Sequence, residues 1–158
     1  MSSKRHHTII SGTGRAGTTF LIELLTRLGL ETGFAPDASI DHRAYAGLER
    51  DIRNPNTPYI AKSPWYCDWL PELLADGTVV IDNAIIAVRD LAAAANSRAR
   101  ITALAHAHGE TQPPGGLWHT DHPDRQIAIL YRQLSMLLET LARFDIPVTL
   151  IWYPRPQY

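Results

Sequence analysis

The chain has 158 residues, 45% of them hydrophobic and 20% charged, with a formal net charge of −1. That length and apolar fraction fit one globular domain with a sizeable core. The balanced charge gives no basic excess for a nucleic-acid partner, and no uncharged apolar run reaches the roughly 18 residues needed to span a bilayer.

Lys4, Arg5, His6 and His7 run directly into a strand pattern, without the apolar core and cleavage site of a secretion signal. Cys67 is the single cysteine, so an intramolecular disulfide is excluded, and a cytoplasmic protein is expected. Lys4 to Ser11 reads as the first strand. A glycine-rich turn follows, then a helix from Thr18 to Leu28 with apolar residues at Leu21, Leu24, Leu25 and Leu28, ended by Gly29. A short second strand is expected near Glu31 to Phe34. Asp37 to Arg53 reads as partly helical, and its charges suit a solvated face. Residues 54–58 form a loop, Tyr59 to Lys62 a brief strand broken by Ser63-Pro64, and Trp65 to Ala75 a turn and helix closed by Asp76-Gly77.

Thr78 to Val88 is the next strand, and Leu91 to Ala107 one helix. Residues 108–123 have loop composition over a length that suggests a lid or binding loop. Asp124 to Phe144 carries a helical apolar stripe at Ile127, Leu130, Tyr131, Leu134, Leu137, Leu138, Leu141 and Phe144, which suits core packing or a homo-oligomer contact. Pro147 to Tyr153 is a last strand. Strands alternating with helices predict an α/β fold whose central sheet is mostly parallel and flanked by helices.

The turn after the first strand is the strongest chemical signal. Gly12, Gly14 and Gly17 let the backbone take positive φ and approach a ligand, and the unpaired N–H groups of a starting helix favour an anion there. Three readings compete. Gly12-x-Gly14-x-x-Gly17 matches the dinucleotide fingerprint, with Glu31 or Asp37 available for a ribose. Gly12-x4-Gly17 also matches the P-loop spacing, but Thr18 stands where that loop needs its lysine. The third reading keeps a P-loop-like backbone and moves the cation to Arg15, with the Thr18 and Thr19 hydroxyls beside it.

A second segment favours the third reading. The apolar run Ala84 to Val88 is followed by Arg89, and an alanine-rich helix brings Ser97 eight residues later. A guanidinium fork and a hydroxyl suit the oxygens of a phosphate. Arg15-Ala16-Gly17-Thr18-Thr19 resembles the 5′-phosphosulfate loop of the P-loop sulfotransferase superfamily, and Arg89 with Ser97 resembles its 3′-phosphate site. Bacterial members are the most similar. The resemblance implies a three-layer P-loop-like fold and 3′-phosphoadenosine-5′-phosphosulfate (PAPS) as sulfate donor. It also implies Gly14, Arg15, Ala16, Gly17, Thr18, Thr19, Arg89 and Ser97 as carrier-binding residues, and transfer to a hydroxyl or amine on a small molecule or glycan. Arg15 and Lys62 would be the catalytic cations, since Lys62 in Lys62-Ser63-Pro64-Trp65 is similar to a lysine that relatives hold beside the transferred group. The chain ends soon after its last strand, where relatives continue into a further helix, so a single 1–158 domain short of that helix is expected.

Acceptor activation needs a base, for which Asp41, His42, His119, Asp121 and His122 are candidates, none of them singled out. No metal is expected: His106 and His108 point apart on a helix, and His119, Asp121 and His122 lack a further anchor. Trp118, in a Gly-Gly loop, could close over an adenine. Two alternatives stand beside sulfuryl transfer. A small-molecule kinase would use Asp82 or Asp90 for magnesium, and a non-catalytic nucleotide-binding module would keep the carrier site alone.

Overall fold

In the computed structural model, residues 4–41 and 45–154 are described. Apolar runs become strands wherever both faces can be covered. β1 (Arg5–Gly12), β2 (Ile60–Lys62), β3 (Val79–Val88) and β4 (Val148–Trp152) form one sheet in the order β2-β1-β3-β4, and every pair is parallel. The connecting helices are α1 (Thr18–Arg27), α2 (Tyr66–Asp76), α3 (Leu91–Ala107) and α4 (Gln126–Arg143), the last entered through a single 3-10 turn at Pro123–Arg125. This is an α/β protein with a parallel sheet. Among the described residues, no helix is long and apolar enough to cross a membrane.

Strand alternation divides the core. Ile9, Ala61, Ala84 and Ile86 face a cluster closed by Tyr66 and Leu70 of α2, by Leu91, Ala94 and Ala95 of α3, and by Leu130, Leu137 and Leu141 of α4. Ile10, Ile60 and Ile85 face the other way, toward Ile22 of α1 and Leu48. After β1 the chain visits β2 on one side, then crosses back to β3 on the other. In open parallel sheets this reversal leaves a crevice at the C-terminal strand ends. Here those ends carry the glycine turn and Arg89.

Four expectations are corrected in whole or in part. α1 buries Thr18, Thr19, Ile22 and Thr26, while Leu24 and Leu28 are exposed. Leu21 and Leu25 are partly buried and pack against the smaller core cluster, as expected. Glu31 to Phe34 is not a strand: the Glu31 carbonyl accepts the Ile60 N–H, and Gly33 turns the chain with φ +70°. Asp37 to Arg53 is not helical among the described residues. Asp41 and Ala46 pair in a small antiparallel bridge, and left-handed residues at Tyr45 and Leu48 interrupt any helical run. On α4 the stripe is confirmed at Leu130, Leu137 and Leu141, but Tyr131 and Phe144 lie outside it and are exposed.

Candidate functional site

Gly12 closes β1 opposite Ala87, where an added Cβ would lie 2.4 Å from the Ala87 carbonyl oxygen. The next turn passes through left-handed backbone at Gly14 (φ 68°), Arg15 (φ 55°) and Gly17 (φ 85°). For Arg15 that conformation costs roughly 1 kcal/mol. Gly17 caps α1 without a side chain, and no acid occupies the first turn, so the positive end of the helix is left uncompensated.

Arginines surround this turn. Arg89 donates through Nη1 to the Arg15 carbonyl at 2.9 Å, and Arg15 donates through Nε to Ser97 Oγ at 3.1 Å. Arg98, only 5% exposed, donates to the carbonyls of Thr13 (2.8 Å) and Gly116 (2.6 Å). Its guanidinium fills the space beside Gly14, where a Cβ would come within 2.2 Å of Nη2. Among the described residues, none of the three has a carboxylate partner, and the Nε atoms of Arg89 and Arg98 are buried without any partner. Burial and then the nearby Arg89 and Arg100 charges hold Arg15 below the usual arginine range, while burial and then Arg15 lower Arg98 to about 10. For Arg15 and Arg98, burial first and neighbouring positive charge second disfavour the charged form, and a bound anion would relieve that penalty.

Lys62 is organised differently. Its ammonium, 2% exposed, donates to Thr19 Oγ1 (3.2 Å), the Gly47 carbonyl (2.5 Å) and Glu49 Oε1 (2.8 Å). Burial lowers its pKa, and Glu49 opposes that shift. Tyr153, anchored by its N–H to the Val88 carbonyl, lays its ring against Gly17.

The expected site residues therefore gather on one cleft of about 1400 Å³, whose walls include Gly14, Arg15, Gly17, Thr18, Thr19, Lys62 and Arg89. Ala16 is buried beneath the turn, and Ser97 sits behind Arg15 outside the cleft lining. The long 108–123 segment is a wall at its centre: Leu117 N–H donates to Thr102 Oγ1, Trp118 N–H to Gln126 Oε1, and Arg98 holds Gly116. Trp118 offers no open face to an adenine. Its buried ring lies under the Arg98 guanidinium and is stacked on His119, with Trp65 edge-on at 4.7 Å.

Among the base candidates, Asp41, His119 and Asp121 line the cleft, with His119 held by Asp68 at 3.2 Å, while His122 lies outside the lining and His42 outside the described residues. Among the described residues, no group of three or more His, Cys, Asp or Glu side chains is arranged to hold a metal. Asp90 caps α3 through the Ala93 N–H, and Asp82 bonds His6 and Tyr59, so neither acid faces the turn.

No protein-family model, curated protein or solved structure matches this chain. Its chemistry has to be read from its own side chains.

Sequence reasoning missed Arg98, Glu49 and Tyr153. For Arg98 the signal was present: it falls in line with Leu91, Ala94, Ala95, Ile101 and Ala105, the buried stripe of α3. A guanidinium within an apolar stripe marks either an ion pair or an anion site.

Proposed function

We propose that the protein is a PAPS-dependent sulfotransferase-like enzyme with a P-loop-like arrangement. The observation that carries the reading is the group of three guanidiniums without carboxylates around a left-handed turn at a helix start. A bisphosphorylated carrier supplies the missing negative charge at more than one point, which a single phosphate does not. The turn formed by Gly14, Arg15, Ala16, Gly17, Thr18 and Thr19 cradles the phosphosulfate. Arg89 binds the 3′-phosphate, with Ser97 steadying Arg15 between the two sites. Thr18, in place of a P-loop lysine, and the engagement of Asp82 and Asp90 elsewhere weigh against a kinase.

Sulfuryl transfer passes through a loose, in-line transition state, so positioning and charge stabilisation do most of the work. The bond from sulfur to the leaving phosphate oxygen breaks as the acceptor hydroxyl or amine bonds to sulfur. Arg15 and the first-turn N–H groups of α1 stabilise the charge growing on the phosphate, a type of contribution worth about 3 kcal/mol per donor. Lys62, touching Thr19, stands beside the transferred group. Glu49 shares its carboxylate with Lys62 while lining the cleft, which suits it to take the acceptor's proton.

Thermal unfolding with adenosine 3′,5′-bisphosphate, ATP and NAD in parallel tests the carrier site. Selective stabilisation by the bisphosphate, about 2.7 kcal/mol at a hundredfold excess over Kd, is expected. Equal or greater stabilisation by ATP or NAD overturns the assignment. Release of labelled sulfate from PAPS, present in the wild type and absent in Arg15→Ala, separates an enzyme from a binding module.

A further inference from the structure

The Lys62 ammonium is a junction of three chain segments. It touches Thr19 of α1, Gly47 of the irregular 45–53 stretch, and Glu49. Each neighbouring segment sets a large aromatic side chain on the same cleft, close in sequence to that junction. Phe20 follows Thr19, Tyr45 precedes Gly47 by two residues, and Trp65 follows Lys62 by three. All three rings are left to solvent, at 56%, 67% and 46% exposure.

Aromatic side chains usually bury most of their area, and exposed rings gathered on one concave surface mark a binding site. Glu49 is held by Lys62 and Asp41 is engaged in other interactions, while Glu23, Ser39, Thr19 and, beside Trp65, His119 line the same cleft. A flat apolar ring draws contact area from all three aromatic side chains at once, which scattered polar groups do not offer a hydroxyl-rich ligand. We infer that the acceptor end of the cleft takes a hydroxyl or amine carried on a flat, apolar ring, gripped by Phe20, Tyr45 and Trp65 with its reactive atom directed at Lys62 and Glu49. This assignment rests on the sulfuryl-transfer reading, in which Lys62 marks the transferred group.

Calorimetric titration tests it on the full chain saturated with adenosine 3′,5′-bisphosphate, using 2-naphthol as the ring-bearing probe and methyl glucoside as the carbohydrate. 2-Naphthol should bind at least about tenfold tighter than the glucoside, and Phe20→Ala or Tyr45→Ala should each weaken it by about tenfold, the scale of one lost ring contact. Both residues are exposed, so the variants should melt with the wild type, and bisphosphate affinity should stay unchanged in each. No detectable binding of 2-naphthol, equal binding of the glucoside, or 2-naphthol affinity indifferent to both substitutions overturns the acceptor class. The bisphosphate arm fails separately: loss of that binding in the wild type removes the carrier site, whatever the naphthol titration gives.

Discussion

The two cationic ends of the cleft solve the same physical problem in opposite ways. At Lys62 a buried ammonium is answered inside the protein by Glu49, a hydroxyl and a carbonyl. At the turn, among the described residues, Arg15, Arg89 and Arg98 donate hydrogen bonds only to backbone carbonyls and the Ser97 hydroxyl. The first arrangement is complete without a ligand. The second is short of negative charge among the described residues, a shortfall that a bound anion would make good.

Substitutions should expose that asymmetry. The largest effect is expected at Arg98, whose guanidinium ties the turn to the 113–118 wall. Arg98→Met leaves the Thr13 and Gly116 carbonyls without their donor, and should lower the unfolding free energy in urea by about 3 kcal/mol while abolishing bisphosphate binding. A stability loss below about 1 kcal/mol would show that the tie is dispensable.

Next comes the self-contained end. Glu49→Gln strips the buried Lys62 of its counter-charge and should cost about 2 kcal/mol, and Lys62→Met added to it should recover much of that loss in a double-mutant cycle. Strict additivity would mean that the pair does not couple. The smallest stability change belongs to Arg15→Ala. Removing one of several mutually repelling cations should shift ligand-free stability by under about 1 kcal/mol, yet eliminate sulfate release from PAPS. A large loss of stability with turnover intact would reverse the comparison.

A pH measurement contrasts the crevice with the opposite end of β1. Burial lowers the pKa of His7 from 6.5, despite the hydrogen bond its Nδ1 makes with the Pro58 carbonyl. The unfolded chain then binds more protons than the folded one between the lowered value and 6.5. Stability should therefore fall as pH drops through that window, and His7→Gln should flatten the dependence seen in thermal melts. An unchanged slope would assign the loss to other groups.

Much of the scaffold was legible because parallel strands buried on both faces are continuous apolar runs, as in Ala84 to Val88. The stripe on α4 was equally direct. The 37–53 segment was not, since its course depends on a bridge between Asp41 and Ala46 and on Lys62, which donates to the Gly47 carbonyl and accepts from the Arg50 N–H, none of which leaves a local pattern. Arg15, Arg89 and Ser97 were visible as residue types at a spacing, but their mutual contacts were not. Arg98 escaped because an arginine in an alanine helix reads as solvent-facing until its register is compared with the buried positions.

The pairing of Gly12 with Ala87 sets the ladder between β1 and β3 where β1 stops and one residue before β3 does. It works as a ruler. The turn grows from one strand end and Arg89 from its neighbour, so the separation between the two anchoring points is dictated by strand spacing and not by any helix or surface segment. Insertions or deletions within residues 37–53 or 108–122 would reshape the cleft walls while leaving that separation as it is. One added residue in either strand, by contrast, would throw the two anchors out of step.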